Sequence, residues 1–340
     1  MSTSTLSYFF YSILSGILLI LGWPTYGNPI YLFIAFIPLL YIENYINYSF
    51  FYVFLLSFLT FFIWNGSSTW WLSYTQRPNG SYSIESYLFP VLINSFLMSI
   101  VFLCYSYIKK YVENKKIGYL FLIGLWVTFE KLHLNWELSW PWLNLGNGFS
   151  NYPKWIQWYE YTGTLGGTIW IWSVNISLMN GILEYKKNNN KFFLYKNIII
   201  NIGKIFFLIF ISNYIYIKYE ENKKDTVNVL ILQPNIDPYH QKYKISTKKL
   251  ILKLKKLINK KKFFIEKTFI IAPETLFPGY GHKIPIFNIN QNKLILIFRN
   301  FLKKHPKTVF ITGIELYSLS QKKSQTSTPI FLKKIKKYYG

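Results

Sequence analysis

The sequence predicts a polytopic α-helical membrane domain over residues 1–217, followed by an α/β domain over residues 218–340. Three observations carry this. Hydrophobic residues make up 51% of the chain, aromatics 21% and charged residues only 15%, yet the formal net charge is +24, a pairing that a single soluble core does not produce. Apolar runs dominate up to Ile217, whereas lysines crowd the stretch from Lys218 onward. Beyond Ile217 the apolar pattern changes from long runs to strand-length runs alternating with amphipathic helix.

Seven apolar segments follow one another: Ser7 to Gly22, Pro29 to Ile42, Ile46 to Trp64, Ile84 to Ile108, Ile117 to Phe129, Gly163 to Leu183 and Ile198 to Ile217. The third, fourth, sixth and seventh approach or exceed the ~20 residues that cross a hydrocarbon core. The first has no Lys or Arg before it and no small-residue cleavage site after it, so it reads as a retained helix and not a signal peptide. Cations decide the orientation, because Lys and Arg near helix ends stay on the cytoplasmic side. The loop after the fourth segment carries Lys109, Lys110, Lys115 and Lys116, and that after the sixth carries Lys186, Lys187, Lys191 and Lys196. The loops after the third and fifth hold only Arg77, Lys131 and Lys154, with Glu137 and Glu160 among them. The N-terminus is therefore expected inside and the domain after Ile217 outside. Lys204, near the start of the seventh segment, can snorkel to the inner interface.

In the α/β domain, Val227 to Leu232 and Thr268 to Ala272 are strand-length runs, closed by Gln-Pro-Asn and Pro-Glu-Thr. Between them, Leu250, Ile251, Leu254, Leu257 and Ile258 mark one face of a helix over Lys248 to Lys262. A further helix is expected over Leu294 to Lys304, a third strand over Thr308 to Thr312 and a fourth over Thr328 to Leu332. Strand and helix alternate, so helices covering a sheet are the economical arrangement.

Glu274 stands at the carboxyl end of the second strand, where open α/β sheets bind ligands and where an apolar wall can tune a carboxylate to act as a general base. The same position suits a solvated helix-start glutamate. His133, His240, His282 and His305 have no spacing that builds a metal site, and no cofactor is indicated. Gly163, Gly166 and Gly167 open an apolar segment and do not follow a strand, so they read as close helix packing and not as a phosphate loop. Ser139 to Gly148 holds Trp140 and Trp142 around Pro141; such tryptophans serve as interfacial anchors or line a lipid entry site. The lone Cys104 lies in an apolar run, where burial among apolar neighbours is expected, and excludes a disulfide framework. The basicity accompanies free use of Ile, Asn, Lys, Tyr and Phe. It is not read as a nucleic-acid signal and would suit anionic headgroups.

Six motifs, in order, resemble one family. They are Leu21-Gly22-Trp23-Pro24; Trp140-Pro141-Trp142-Leu143-Asn144-Leu145-Gly146; Glu160-Tyr161-Thr162-Gly163 with Gly166-Gly167; Leu232-Gln233-Pro234-Asn235-Ile236; Ala272-Pro273-Glu274-Thr275; and Thr312-Gly313-Ile314. Together they resemble the apolipoprotein N-acyltransferases, bacterial inner-membrane enzymes. The resemblance implies that residues 218–340 are the N-terminal part of a periplasmic, nitrilase-like (carbon–nitrogen hydrolase) α-β-β-α domain. It implies a phospholipid acyl donor, a diacylated apolipoprotein acceptor and membrane lipids as partners, and no nucleic acid. It implies a Glu, Lys, Cys chemistry in which Glu274 is the general base, and it places Trp142 and Tyr243 near substrate-contacting positions. Two expectations depart from that pattern. No cysteine follows Cys104, and no stretch matching the family's lysine segment or its eighth helix is found, so the outer domain is expected to be incomplete.

The competing expectation is a degenerate, non-catalytic membrane protein that keeps the helical frame. A transporter is disfavoured, because no acidic residue sits mid-membrane in the third, fourth, sixth or seventh segment. The orientation has a direct test: on a Cys104-free background, a cysteine placed at Asn189 is expected to resist an impermeant thiol reagent applied to intact cells. Labelling from outside would reverse the topology.

Overall fold

The computed structural model describes residues 3–46, 49–77, 79–220, 227–237, 239–241, 244–259, 268–273, 276, 284–314 and 316–317. It divides into two compact units, Met1–Asn222 and Lys223–Gly340.

The first unit is helical: α1 (Thr3–Gly22), α2 (Ile37–Tyr45), α3 (Phe50–Ser68), α4 (Glu85–Tyr111), α5 (Lys115–Asn135), the single turn α6 (Tyr159–Thr162), α7 (Thr164–Asn188) and α8 (Lys191–Glu220). Four stretches are long and apolar enough to cross a membrane: Phe50–Ser68, Glu85–Tyr111, Lys116–Asn135 and Lys191–Tyr219. The chain is a membrane protein on this ground. Helix α7 is as long but less apolar, since it carries Asn175, glycines and tryptophans. Its Trp170, Ile171, Trp172, Val174 and Met179 are buried, so protein and not lipid surrounds that face. Helix α8 is the opposite case. It turns Ile199, Phe206, Phe207 and Phe210 outward, as a lipid-facing helix must.

Residues 29–42 do not form the single helix that their hydropathy suggests. Asn28 caps a 3₁₀ turn over Pro29–Phe33, its side chain accepting from the Ile30 amide at 3.0 Å. Helix α2 begins only at Ile37. A break of this kind leaves backbone groups that lipid cannot satisfy. Asn175 of α7 supplies the partners: its Oδ1 accepts from the Phe36 amide at 2.8 Å and its Nδ2 donates to the Leu32 carbonyl at 2.8 Å. Ser15 of α1 donates to the Ala35 carbonyl. Around this junction lies an aromatic core in which Phe36 stacks on Trp172 at 4.0 Å and Trp126 meets Trp172 at 5.1 Å.

Helix α4 runs on to Tyr111, so Lys109 lies in its last turn and not in a loop. Its ammonium pairs with Glu43 of α2 at 2.5 Å and donates to Asn44 Oδ1 at 3.0 Å. The other donors to Glu43 are the Tyr105 hydroxyl at 3.3 Å and the Ser106 hydroxyl at 3.2 Å. Of the lysines that mark this side, Lys109 is thus engaged in joining α2 to α4. Arg77, in the loop after α3, pairs with Glu85 at 2.6 Å.

In the second unit, β1 (Asn228–Ile231), β2 (Thr268–Ile271) and β4 (Thr308–Ile311) form a parallel sheet in the order β1-β2-β4. Helix α9 (Thr247–Asn259) joins the first pair and α10 (Lys293–Lys304) precedes β4. The expected strands and helices of this region are present within a few residues of their predicted bounds. The expected strand over 328–332 lies outside the described residues. Register aligns Leu230, Ile270 and Phe310 across the sheet. These face Leu250, Leu254 and Ile258 of α9 and Leu294 and Phe298 of α10, with the Phe298 and Phe310 rings 4.6 Å apart. The alternate residues, Val229, Ile231, Ile271, Val309 and Ile311, are exposed. A short parallel pair, β3 (Ile284–Pro285) with β5 (Leu316–Tyr317), stands apart from this sheet.

The Glu43–Lys109 pair makes one expectation specific. Replacing Lys109 by Met leaves a buried carboxylate without its cation, and removing one partner of such a pair costs about 3–5 kcal/mol. Thermal unfolding in detergent is expected to fall well below wild type for Lys109→Met, with recovery when Glu43→Gln is added.

Candidate functional site

The Trp-Pro-Trp motif is a folded turn between α5 and α7. Pro141 opens a 3₁₀ turn over Pro141–Leu143, where a residue without an amide hydrogen is cheapest, and a second turn runs over Leu145–Phe149. The Asn147 side-chain amide donates to the Pro141 carbonyl at 2.8 Å and ties the two together. Leu143, Leu145 and Phe149 are buried, which leaves Trp142 half exposed.

Trp142 forms one wall of a cleft of about 580 Å³ in the membrane unit. The opposite walls come from the Leu-Gly-Trp-Pro motif, where Trp23 and Pro24 follow α1, and from Ser67 and Ser68 in the last turn of α3 with Trp70 and Trp71 after it. Trp142 meets Trp71 edge-on at 5.6 Å and Trp140 at 4.8 Å. Among the described residues the lining holds no carboxylate and no cation; its polar groups are hydroxyls and amides. The Ser68 hydroxyl, in this wall, has no hydrogen-bond partner among the described residues. Such a surface can receive an apolar chain with a neutral polar end.

Beneath the cleft the motif turn rests on the start of α7. A Cβ added to Gly146 would fall 1.9 Å from the Thr164 carbonyl oxygen, so only glycine permits this approach. Gly163, between α6 and α7, holds φ at 66°, a conformation that glycine adopts without penalty. The glycine-rich opening of the segment thus admits the 145–149 turn, in addition to the small-residue packing expected of it. Glu130 of α5 is 2% exposed and accepts from the Trp126 indole at 3.1 Å, the Leu145 amide at 2.8 Å and the Thr168 hydroxyl at 2.6 Å. Thr168 in turn accepts from the Gly146 amide at 3.2 Å, and the Tyr159 hydroxyl donates to the Gly146 carbonyl at 2.9 Å. Sequence reasoning missed Glu130, because the fifth apolar run ends at Phe129. The signal was present in the spacing: Leu122, Trp126, Glu130 and His133 fall on one buried stripe of α5.

In the second unit three motifs separated by about forty residues each meet at the carboxyl ends of adjacent strands. The Leu232 amide donates to the Ile271 carbonyl at 2.8 Å and the Ala272 amide to the Ile311 carbonyl at 2.8 Å. The Gly313 amide and the Thr312 hydroxyl both reach the Pro273 carbonyl at 3.4 Å. The chain is thereby led to Glu274, which itself lies outside the described residues, as does Tyr243. Five residues after Leu232, Asp237 accepts from the Tyr239 and His240 amides at 2.8 and 3.1 Å, which holds its carboxyl below the usual range. Among the described residues no three His, Cys, Asp or Glu side chains gather as a metal site. Cys104 is exposed on α4, contrary to the expected burial: Phe102 and Tyr105 take the enclosed side of this helix, and Cys104 falls on the other.

Residues 15–177 match the family described as the apolipoprotein N-acyltransferase N-terminal domain. The membrane unit is thus similar to the N-terminal domain of the apolipoprotein N-acyltransferases. An apolipoprotein N-acyltransferase of Chlorobaculum tepidum is 23% identical over 283 residues, which is 80% of this chain and 50% of the relative. The chain therefore spans about half the length of that curated relative. The matched region contains the cleft, its tryptophans and the Glu130 cluster.

The close approach at Gly146 gives the second expectation of the structure. Gly146→Ala is expected to displace the motif turn and to make residues 141–149 susceptible to proteolysis, whereas an alanine at Gly124, which has open space around it, is expected to leave the digestion pattern unchanged.

Proposed function

We propose that this chain is the lipid-handling part of an apolipoprotein N-acyltransferase, moving an acyl chain from a phospholipid to the N-terminal amine of a diacylated lipoprotein cysteine. The observation that carries the proposal is the tryptophan-walled cleft formed by two family motifs that are far apart in sequence. The half-exposed indole of Trp142 offers a flat apolar wall with a polar edge, which suits an acyl chain close to its ester. The chain sits in the bacterial inner membrane with its N-terminus in the cytoplasm and the second unit in the periplasm. The lysine-rich ends at Lys110–Lys116 and Lys186–Lys196 support that orientation.

In this reading the second unit is nitrilase-like and Glu274 is its general base. The hydrogen bonds that gather Leu232, Ala272, Pro273, Thr312 and Gly313 at the carboxyl ends of adjacent strands support that role. Tyr243 is assigned to the substrate side by the family resemblance. The reaction needs a thiolate to attack the phospholipid ester, releasing a lysophospholipid, and an amine to attack the resulting thioester, with the base receiving the amine's proton. The sequence has one cysteine, and Cys104 lies on a membrane helix. That observation favours a second reading, in which the chain keeps the helical frame and lipid binding without catalysis of its own.

The assay is the purified chain in micelles with a phospholipid donor and a diacylated lipoprotein peptide. The expected result is phospholipid binding that Trp142→Ala weakens, with no triacylated peptide formed by this chain alone. Product from this chain alone would show that its nucleophile has been misassigned; absence of phospholipid binding would remove the lipid reading of the cleft.

A further inference from the structure

Glu130 and Thr168 direct their polar atoms to the 145–149 turn, which adjoins the turn that carries Trp142, as well as to each other. From this geometry we infer that Glu130 and Thr168 are positioning residues that set the place of the Trp142 wall, and with it the width of the lipid cleft. The role of the cleft rests on the function proposed above; the placement of the turn does not.

Three donors converge on the Glu130 carboxyl oxygens: an indole, a backbone amide and a hydroxyl. The Thr168 hydroxyl has a single hydrogen, which it gives to Glu130, so its oxygen is free to take the Gly146 amide. Consecutive amides of the turn, Leu145 and Gly146, are thereby fixed to α5 and α7 respectively. These are the first two amides of the 3₁₀ turn, which have no partner within it. Trp142 is three residues earlier, and the Asn147 side chain ties the two turns together, so a shift of Leu145 is passed to Trp142. A buried carboxylate is costly, and apolar packing would hold two helices together at least as well. What packing cannot do is hold two backbone amides at fixed points.

Two pairs of variants separate positioning from mere bulk. Thr168→Val keeps the shape of the side chain and loses the acceptor; Thr168→Ser keeps the acceptor. Glu130→Leu loses both oxygens. Glu130→Gln keeps an acceptor for Trp126 and Leu145 and can donate to Thr168, whose hydroxyl can turn to a carbonyl of its own helix. In the full chain reconstituted in nanodiscs, amide exchange over 141–149 and tryptophan quenching by phosphatidylethanolamine brominated on its acyl chains are measured together, with Trp142→Phe defining the Trp142 share of the quenching. Thr168→Val and Glu130→Leu are expected to speed exchange at Leu145 and Gly146 at least tenfold and to raise the half-quenching lipid concentration several-fold. Thr168→Ser and Glu130→Gln are expected to match wild type in both. Folded Thr168→Val protein with wild-type exchange overturns the inference, even where Glu130→Leu fails to fold. Faster exchange with unchanged Trp142 quenching also overturns it, since the pair would then hold the turn without setting the wall. If Trp142→Phe leaves the quenching unchanged, the lipid reading of the cleft fails; the exchange pattern across the four variants then still supports or refutes the placement of the turn.

Discussion

Backbone groups released from a helix inside a bilayer have no water to turn to, and the membrane unit is organised around meeting that demand. It breaks its second apolar segment at residues 29–36 and folds the connection between α5 and α7 into turns at 141–149, and each stretch receives polar side chains from α7 and one other helix. Asn175 with Ser15 serves the first, and Thr168 with Glu130 serves the second. Asn175 and Thr168 are two turns apart on α7. This explains why α7 is the least apolar of the long helices and also the most enclosed. It offers polar groups to its neighbours, and the face that carries them is enclosed by protein.

The segments that connect the helices supply most of the cleft's walls. A bundle of uninterrupted helices presents side chains at its ends but encloses little, whereas the Trp23 and Trp142 segments fold across the end of the bundle and leave a space between them. The aromatic core below, from Phe36 through Trp172 to Trp126, fills the volume that the broken helix gives up. Position, packing and binding surface therefore depend on the same few polar contacts.

The sequence made the long helices and the strand–helix alternation legible because those depend on local periodicity. Leu250, Leu254 and Ile258 mark the buried face of α9 by their spacing alone, and they pack as that spacing requires. The break after Phe33 was not legible, since hydropathy is blind to an asparagine about 140 residues away that completes the backbone bonds. Glu130 was hidden for a related reason: a charged residue ends an apolar run in any hydropathy reading, although the helix continues and encloses it. Trp142 stood out through its motif, but its partnership with Trp71 is long-range and could not be read. Glu274 was placed by the strand that precedes it, and the described chain leads to its position without including it.

The second unit presents two unlike surfaces. Lysines such as Lys248, Lys255, Lys256 and Lys303 cover the outside of its helices, while the sheet face opposite shows Val229, Ile231, Ile271, Val309 and Ile311. Parallel sheets are ordinarily covered on both faces. Among the described residues this one is covered on one. Two such bodies in water repel through their cations and attract through their aliphatic faces, and only the first of these forces is screened by electrolyte. Dissolved salt, which usually loosens contacts between charged proteins, here removes the force that holds copies apart.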